Sequence, residues 1–356
     1  MSEDNAHGRA RGRGQEEDRM KHITAGGFAA ALAIPLLAAA NPLSGVLGRL
    51  AVRPAVRHGN LTVFPLVGAT GGSGSYLTLD KAIARGRVEV QEKDGGDVNL
   101  VRVRNTSNGH VFGLAGEIIT GAKQNRMLER DVLLPPNSGW LELPVYCVEH
   151  GRWHGETMEF SSKGQVAAGR VRGRAANTRD QSEVWAEISA NKADLGVAAP
   201  TSRFDAVFED RNVQDEVRGY RAKLESQVPA LAPGAVGVAV AVGGRFVCVD
   251  VFGSPALFRA LWPRLLESYV VDALAGRPAG AMTADDVRAV LRDAASAAQV
   301  ARPSVGVGQA WRIEGTAVTG SALVRGKEVV HLDLFPAEDG GATPLRLDIR
   351  RPGGIR

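Results

Sequence analysis

VGVAVAVGGRFVCVDVF, Val236–Phe252, decides the fold. Small and β-branched residues, a Gly-Gly step, and a second run rich in Val and Phe predict an antiparallel hairpin. Gly243-Gly244 supplies its two-residue turn, which needs positive φ at both positions. Downstream, Phe258–Ala275 carries Leu261, Trp262, Leu265, Leu266, Tyr269 and Leu274 at helical spacing. Thr283 is placed to cap a second helix over Ala284–Ala298. Strands are predicted at Trp311–Glu314, Ala317–Val324 and Glu328–Phe335. Strands, two helices and strands again imply an α+β fold whose 233–335 part is a sheet with both helices on one face.

Toward the N-terminus, 161–232 reads as a basic connector followed by helices. Residues 161–180 are polar, carry Arg170, Arg172, Arg174 and Arg179, and read as a basic solvated connector, the alternative being a mobile loop over the site. Asp180–Ala193 and Asp205–Gln227 read as helices, the first placing Gln181 and Trp185 on one face. The part 60–160 is β-rich. Leu61–Leu66, Val88–Val90, Val98–Arg104 and His110–Leu114 read as strands, and Leu79–Arg85 as a short helix between Thr78 and Gly86. Asn108-Gly109 is a hairpin signal. GATGGSGS, Gly68–Ser75, has no Gly-Lys-Ser/Thr after it and reads as a surface loop, not a phosphate cradle.

The stretch GEIITGAKQNRMLERDVLLPPNSGWLELPVYCVEHGRW, Gly116–Trp153, holds the candidate chemistry. Asp131–Leu134 and Trp140–Val148 read as strands, and the turn Pro135–Gly139 predicts that they pair. That pairing brings Lys123, Gln124, Asn125 and Arg126 near Glu149, Arg152 and Trp153. Glu117 and Glu149 are the candidate catalytic carboxylates: a buried carboxyl serves as general base or as a hydrogen-bonded brace. Lys123, Arg126 and Arg152 suit phosphate, or an ion-pair network with those carboxylates. Gln124, Asn125 and Gln181 can read a ribose or base edge, or satisfy turn backbone. Trp153 and Trp185 can stack on a ring, or pack in the core. On a strand Cys147 shares a face with Glu149, not His150, and reads as a packing thiol. Cys147, His150 and His154 lack a fourth ligand, so no metal site is expected and no cofactor is identified.

The chain has 356 residues, a formal charge of +4, two cysteines and 5% aromatics. Few aromatics argue against a stacking surface for nucleic acid, and no specific nucleic-acid partner is expected. Residues 1–19 are expected to be disordered, or an extension upstream of a true start at Met20. Lys21, the apolar core Phe28–Leu37 and the small Ala38–Ala40 make 20–40 a signal peptide, the rival being a membrane anchor over the uncharged run 23–48. Residues 41–59 read as a linker and 336–356 as a disordered tail. Export, to periplasm or exterior, permits Cys147 and Cys248 to pair without requiring it.

GEIITGAKQNR, the later VYCVEHGRW, DQSEVW from Asp180, and FGSPALFRALWPRLLESYVVDAL resemble the ARG and rhodanese-phosphatase-superfamily-associated protein family, over Leu61 to Phe335. The family pattern commonly has a second carboxylate where Ile118 stands. The resemblance implies association with ADP-ribosylglycohydrolases and phosphatases, hence an ADP-ribose-like or other phosphorylated small-molecule partner. It implies no settled reaction. A non-catalytic structural or protein-interaction module is the alternative.

Overall fold

A computed structural model describes residues 43–338 apart from 73–75, 94–96, 153–154, 156 and 200. The hairpin Ala235–Val242 and Arg245–Phe252 forms as its sequence predicts, with a bulge between Val240 and Ala241. It lies inside an antiparallel sheet ordered Ala51–Val52, Leu61–Val67, Ala235–Val242, Arg245–Phe252, Glu328–Pro336, Val318–Arg325, Gln309–Glu314 and Ala298–Arg302, with Val56–His58 also paired to Leu61–Val67.

Every residue of Ala235–Val242 is buried, so both faces of the sheet need a cover. Val238, Val240 and Cys248 pack with Leu261 and Leu265 of the helix Pro255–Ala275. Ala239, Ala241, Val249 and Val251 pack with Val287, Leu291 and Ala294 of the helix Ala284–Ser296. The α+β class holds, but the two helices occupy opposite faces, not one. Ala284–Ser296 begins with a capping box between Thr283 and Asp286, and its apolar stripe of Val287, Leu291 and Ala294 is what reaches the sheet.

The segment expected to be a linker joins this body from Leu43 onward. Leu43, Val46, Leu47 and Leu50 are buried with the residues of Ala284–Ser296, and Leu43 N donates to Gln299 Oε1 at 3.1 Å. Its few apolar residues, four or fewer apart, form one short turn, Ser44–Leu47, too brief to show a period in the sequence.

The β-rich part forms two further sheets. One is ordered Phe160–Ser161, Ile118–Gly121, Arg126–Leu128, Leu141–Cys147, Leu100–Asn105 and Val88–Glu92. The other is ordered Val305–Gly306, Val132–Leu134, Val111–Gly113 and Leu77–Thr78. Two expected hairpins therefore do not form: Leu100–Asn105 does not pair with Val111–Gly113, nor Val132–Leu134 with Leu141–Cys147. Asn105, which is fully buried, lies between the two turns concerned. Its Nδ2 donates to Gly109 O and Pro135 O, both at 2.8 Å, and its Oδ1 accepts from Ser107 N and Oγ. One side chain thus ties both turns together, and each strand leaves its turn into a different sheet. Val305–Gly306 pairs in parallel with Val132–Leu134, so the C-terminal part completes a sheet of the N-terminal part, and the described residues form one unit.

Residues 169–178 are a helix, not a connector. Ala168, at its N-cap, makes no side-chain cap. Asp272 of the long helix does so instead, accepting from Gly169 N at 2.6 Å and Arg170 N at 3.2 Å. The helix Gln181–Leu195 is capped by Asp180. The helix expected over 205–227 is broken at Asp210, which caps Arg211–Leu224 and leaves Asp205–Glu209 as a 3-10 turn.

Candidate functional site

The two polar motifs do converge, by a route other than the Pro135–Gly139 turn. Arg126–Leu128 pairs directly with Leu141–Cys147, placing Cys147 opposite Arg126. Asn125 N donates to Glu149 Oε2 at 3.2 Å, Asn125 Oδ1 accepts from Gly121 N, and Asn125 Nδ2 donates to Asp205 Oδ1 at 2.9 Å. Arg152 grips Glu149 with Nε at 2.9 Å and Nη2 at 2.6 Å, and donates Nη1 to Ala122 O. Burial alone would raise the Glu149 carboxyl, but hydrogen bonds from Arg152, Thr201 and Asn125 outweigh it and hold the group below its ordinary range.

Deeper in the same network Arg126 Nη1 donates to Gln124 O and Oε1, and Nη2 lies 3.6 Å from Glu92 Oε1. Cys147 Sγ reaches Gln124 Oε1 at 3.0 Å. Burial raises the thiol, and it remains a free cysteine, as does Cys248. Gln181 exchanges hydrogen bonds with the Cys147 backbone in both directions. Lys123 N donates to Glu92 Oε1, and Trp185 meets His150 edge-on at 4.7 Å. Glu117 stands apart from this network. It accepts from Arg264 Nη1 at 3.0 Å, and burial pushes its carboxyl up against the opposing pull of Arg264. Trp153 and His154 lie outside the described residues.

A second polar cluster sits where the sequence analysis placed only buried strands. His331 Nδ1 is 2.7 Å from Asp131 Oδ2, and Nε2 is 3.2 Å from Asp250 Oδ1. Arg172 clasps Asp250 with Nη1 at 3.1 Å and Nη2 at 2.5 Å, and Tyr269 Oη donates to Asp250 Oδ2 at 2.5 Å. Asp333 is opposite Asp250 in register, and its Oδ1 accepts from Ser321 N and Oγ. All of these groups are buried or nearly so. Burial disfavours the His331 imidazolium, yet Asp131 and Asp250 override it and lift its pKa to about 10. Burial likewise works against ionised Asp250, but Arg172 and His331 hold it well below the carboxylate range. Asp333 goes the other way, raised by burial and by the negative charges of Asp131 and Asp250, with His331 and Arg172 opposing. A sequence signal existed: VCVDVF and VVHLDLF put charge inside runs that otherwise read as fully buried strand.

This cluster floors a cavity of about 180 Å³. Arg172 and Asp333 line its base, and Arg130, Arg179, Arg302 and Arg312 line it further out. Tyr146, Trp311 and Phe335 give it apolar wall. Gly116 is required here: its φ is +90°, and a Cβ would sit 2.7 Å from Arg172 Cγ and 3.1 Å from Arg172 Nε. Arg172 Nε is buried without a hydrogen-bond partner. Burial lowers the pKa of Arg179, and the like charges of Arg312 and Arg302 lower it further. The cavity and the motif network share strands: Met127 and Leu128 follow Arg126, Tyr146 precedes Cys147, and all three line the wall.

No curated protein and no solved structure matches the chain. Residues 49–335 match the family described as the ARG and Rhodanese-Phosphatase-superfamily-associated Protein domain, which spans both polar clusters and the cavity, and the chain belongs to that family.

Proposed function

We propose that the chain binds a small phosphorylated ligand, of the ADP-ribose-like class, in the arginine-lined cavity. One observation carries this reading. Five arginines line the cavity against two carboxylates, Glu129 and Asp333, and Arg179 and Arg302 have no acidic partner among the described residues. Arg130, Arg172 and Arg312 are paired with Glu129, Asp250 and Glu314, so the excess charge rests on Arg179 and Arg302, and an anion with several oxygens offsets it through charge-assisted hydrogen bonds. Trp311 and Tyr146 offer flat surface beside them for a sugar or base.

The Lys123–Arg126 block serves this site from behind. Gln124, Asn125, Arg126 and Glu149 are buried and bonded to one another or to the backbone, the setting of a brace that holds Met127, Leu128 and Tyr146 in the cavity wall. Calorimetry of the chain with ADP-ribose, NAD and pyrophosphate tests the reading. Binding that weakens with salt and with Arg302→Ala supports it. No heat with any of them at about millimolar ligand, a concentration that still detects weak sites, leaves the structural or protein-interaction module as the better account. We also propose that the chain is exported, on the strength of the Lys21 to Ala40 pattern.

A further inference from the structure

We propose that Asp333 is the specificity residue of this cavity and restricts it to anions that bring a donor hydroxyl, such as a phosphorylated sugar or polyol, and not to anions without a hydrogen to give, such as sulfate or a fully ionised simple monoester. The inference rests on the reading of the cavity as an anion site.

An acidic side chain at the base of an arginine-lined cavity opposes the charge such a site is built for. Asp333 is 3% exposed and lines the cavity beside Arg172. Its Oδ1 is occupied by Ser321 N at 2.8 Å and Ser321 Oγ at 2.9 Å. Its Oδ2 receives no hydrogen bond among the described residues, and Arg172 Nη2 stands 3.9 Å away, beyond hydrogen-bond reach. Arg172 cannot turn to it, because both of its Nη atoms are held by Asp250. His331 cannot serve it either, with its two ring nitrogens on Asp131 and Asp250. Two cations are thus matched by two carboxylates, and Asp333 is the acid left over.

A buried acceptor in that position wants a donor hydrogen, and a fully ionised phosphate has none to give. A ligand hydroxyl supplies it while the ligand's phosphoryl oxygens meet the outer arginines. Tyr146, Trp311 and Phe335 leave apolar surface for the carbon skeleton joining the two groups. An anion with no hydrogen to donate is accepted only when Asp333 itself carries a proton, and the burial that raises its pKa makes this happen on mild acidification. The charged or titratable groups facing Asp333 are Arg172, Asp250, His331 and Asp131, all locked in the pairs just described.

Calorimetry on the full chain compares ribose 5-phosphate with methyl phosphate, a monoester without a hydroxyl, at about pH 8. One hydrogen bond to a charged acceptor predicts a preference of about tenfold or more for ribose 5-phosphate. Asp333→Asn, whose amide can donate to an anion, is expected to bind methyl phosphate more tightly and to narrow the preference to about threefold or less. Sulfate, a dianion throughout, is expected to bind wild type about tenfold tighter near pH 5 than near pH 8 and Asp333→Asn equally at both. Equal affinity of wild type for the two monoesters, or a pH-independent sulfate affinity in wild type, overturns the proposal while leaving the anion site standing, and neither needs a variant to fold. Absence of binding by all three probes overturns both.

Discussion

Arg126 and Arg302 carry the same guanidinium in opposite settings, and the two should respond oppositely to truncation. Arg126 is fully buried among Gln124 and Glu92. Arg126→Ala strands the Glu92 carboxylate in the interior, which costs about 3–5 kcal/mol, and the melting temperature should fall sharply. Arg302 is exposed at the end of the edge strand Ala298–Arg302. Arg302→Ala should shift stability by no more than about 0.5 kcal/mol, yet weaken anion binding about tenfold through one lost charge-assisted contact. Thermal melts paired with calorimetry separate the two outcomes. His331 adds a pH dependence. Its folded pKa of about 10 lies above the ordinary histidine value, so its stabilisation is complete below about pH 6.5 and lost as pH rises toward the folded value. Denaturant unfolding at a series of pH values should therefore show stability declining across that window, and a flat profile there rules out a charged imidazolium between Asp131 and Asp250.

The elements whose determinants are local were readable. Gly243-Gly244 closes its hairpin, and Thr283 with Asp286 starts its helix, because each signal lies within four residues of the structure it directs. Convergence of the two polar motifs was also anticipated, though the pairing that achieves it is Arg126–Leu128 against Leu141–Cys147. What escaped was set from a distance. Asn105 bonds to two turns at once, and neither turn closes the hairpin its sequence suggests. Both faces of Ala235–Val242 are apolar, so the strand alone does not say where each helix goes. The cavity floor draws on Asp131, Arg172, Asp250, His331 and Asp333, from segments far apart in the chain. The helix Gly169–Thr178 is the sharpest instance, since its cap, Asp272, is about a hundred residues away. Asp272→Ala should remove that cap at a cost of about 1–2 kcal/mol. It should also weaken anion binding, because Arg172 is fixed by the same helix. Melts and calorimetry on one preparation test the linkage, and full affinity in a destabilised variant would show that the helix keeps Arg172 in place without its cap.

At the scale of the whole molecule, the N-terminal boundary of the folded body is the feature the sequence drew least well. The family match begins at residue 49, but packing begins earlier. Leu43, Val46, Leu47 and Leu50 are 0%, 6%, 1% and 9% exposed and lie with Val287 and Leu291 against the sheet. No helix among the described residues is long and apolar enough to cross a membrane, and residues 23–42 lie outside them. If a signal peptidase acts after Ala40, as the small residues there propose, the mature chain starts two residues before Leu43 and keeps every core residue among the described residues. A chain beginning at Asn41 should therefore melt at the temperature of the full chain. One beginning at Arg53 loses all four leucine and valine side chains, each worth about 1.5–3 kcal/mol of burial, and should be far less stable or fail to fold. N-terminal sequencing of the protein recovered from fractionated cells supplies the cellular half of the test. A start at Asn41 outside the cytoplasm supports cleavage, a membrane-bound chain retaining residues 20–40 supports the anchor, and a cytoplasmic chain retaining them removes export from the account. A start downstream of Leu50 in a folded protein would contradict the packing of these residues against Ala284–Ser296.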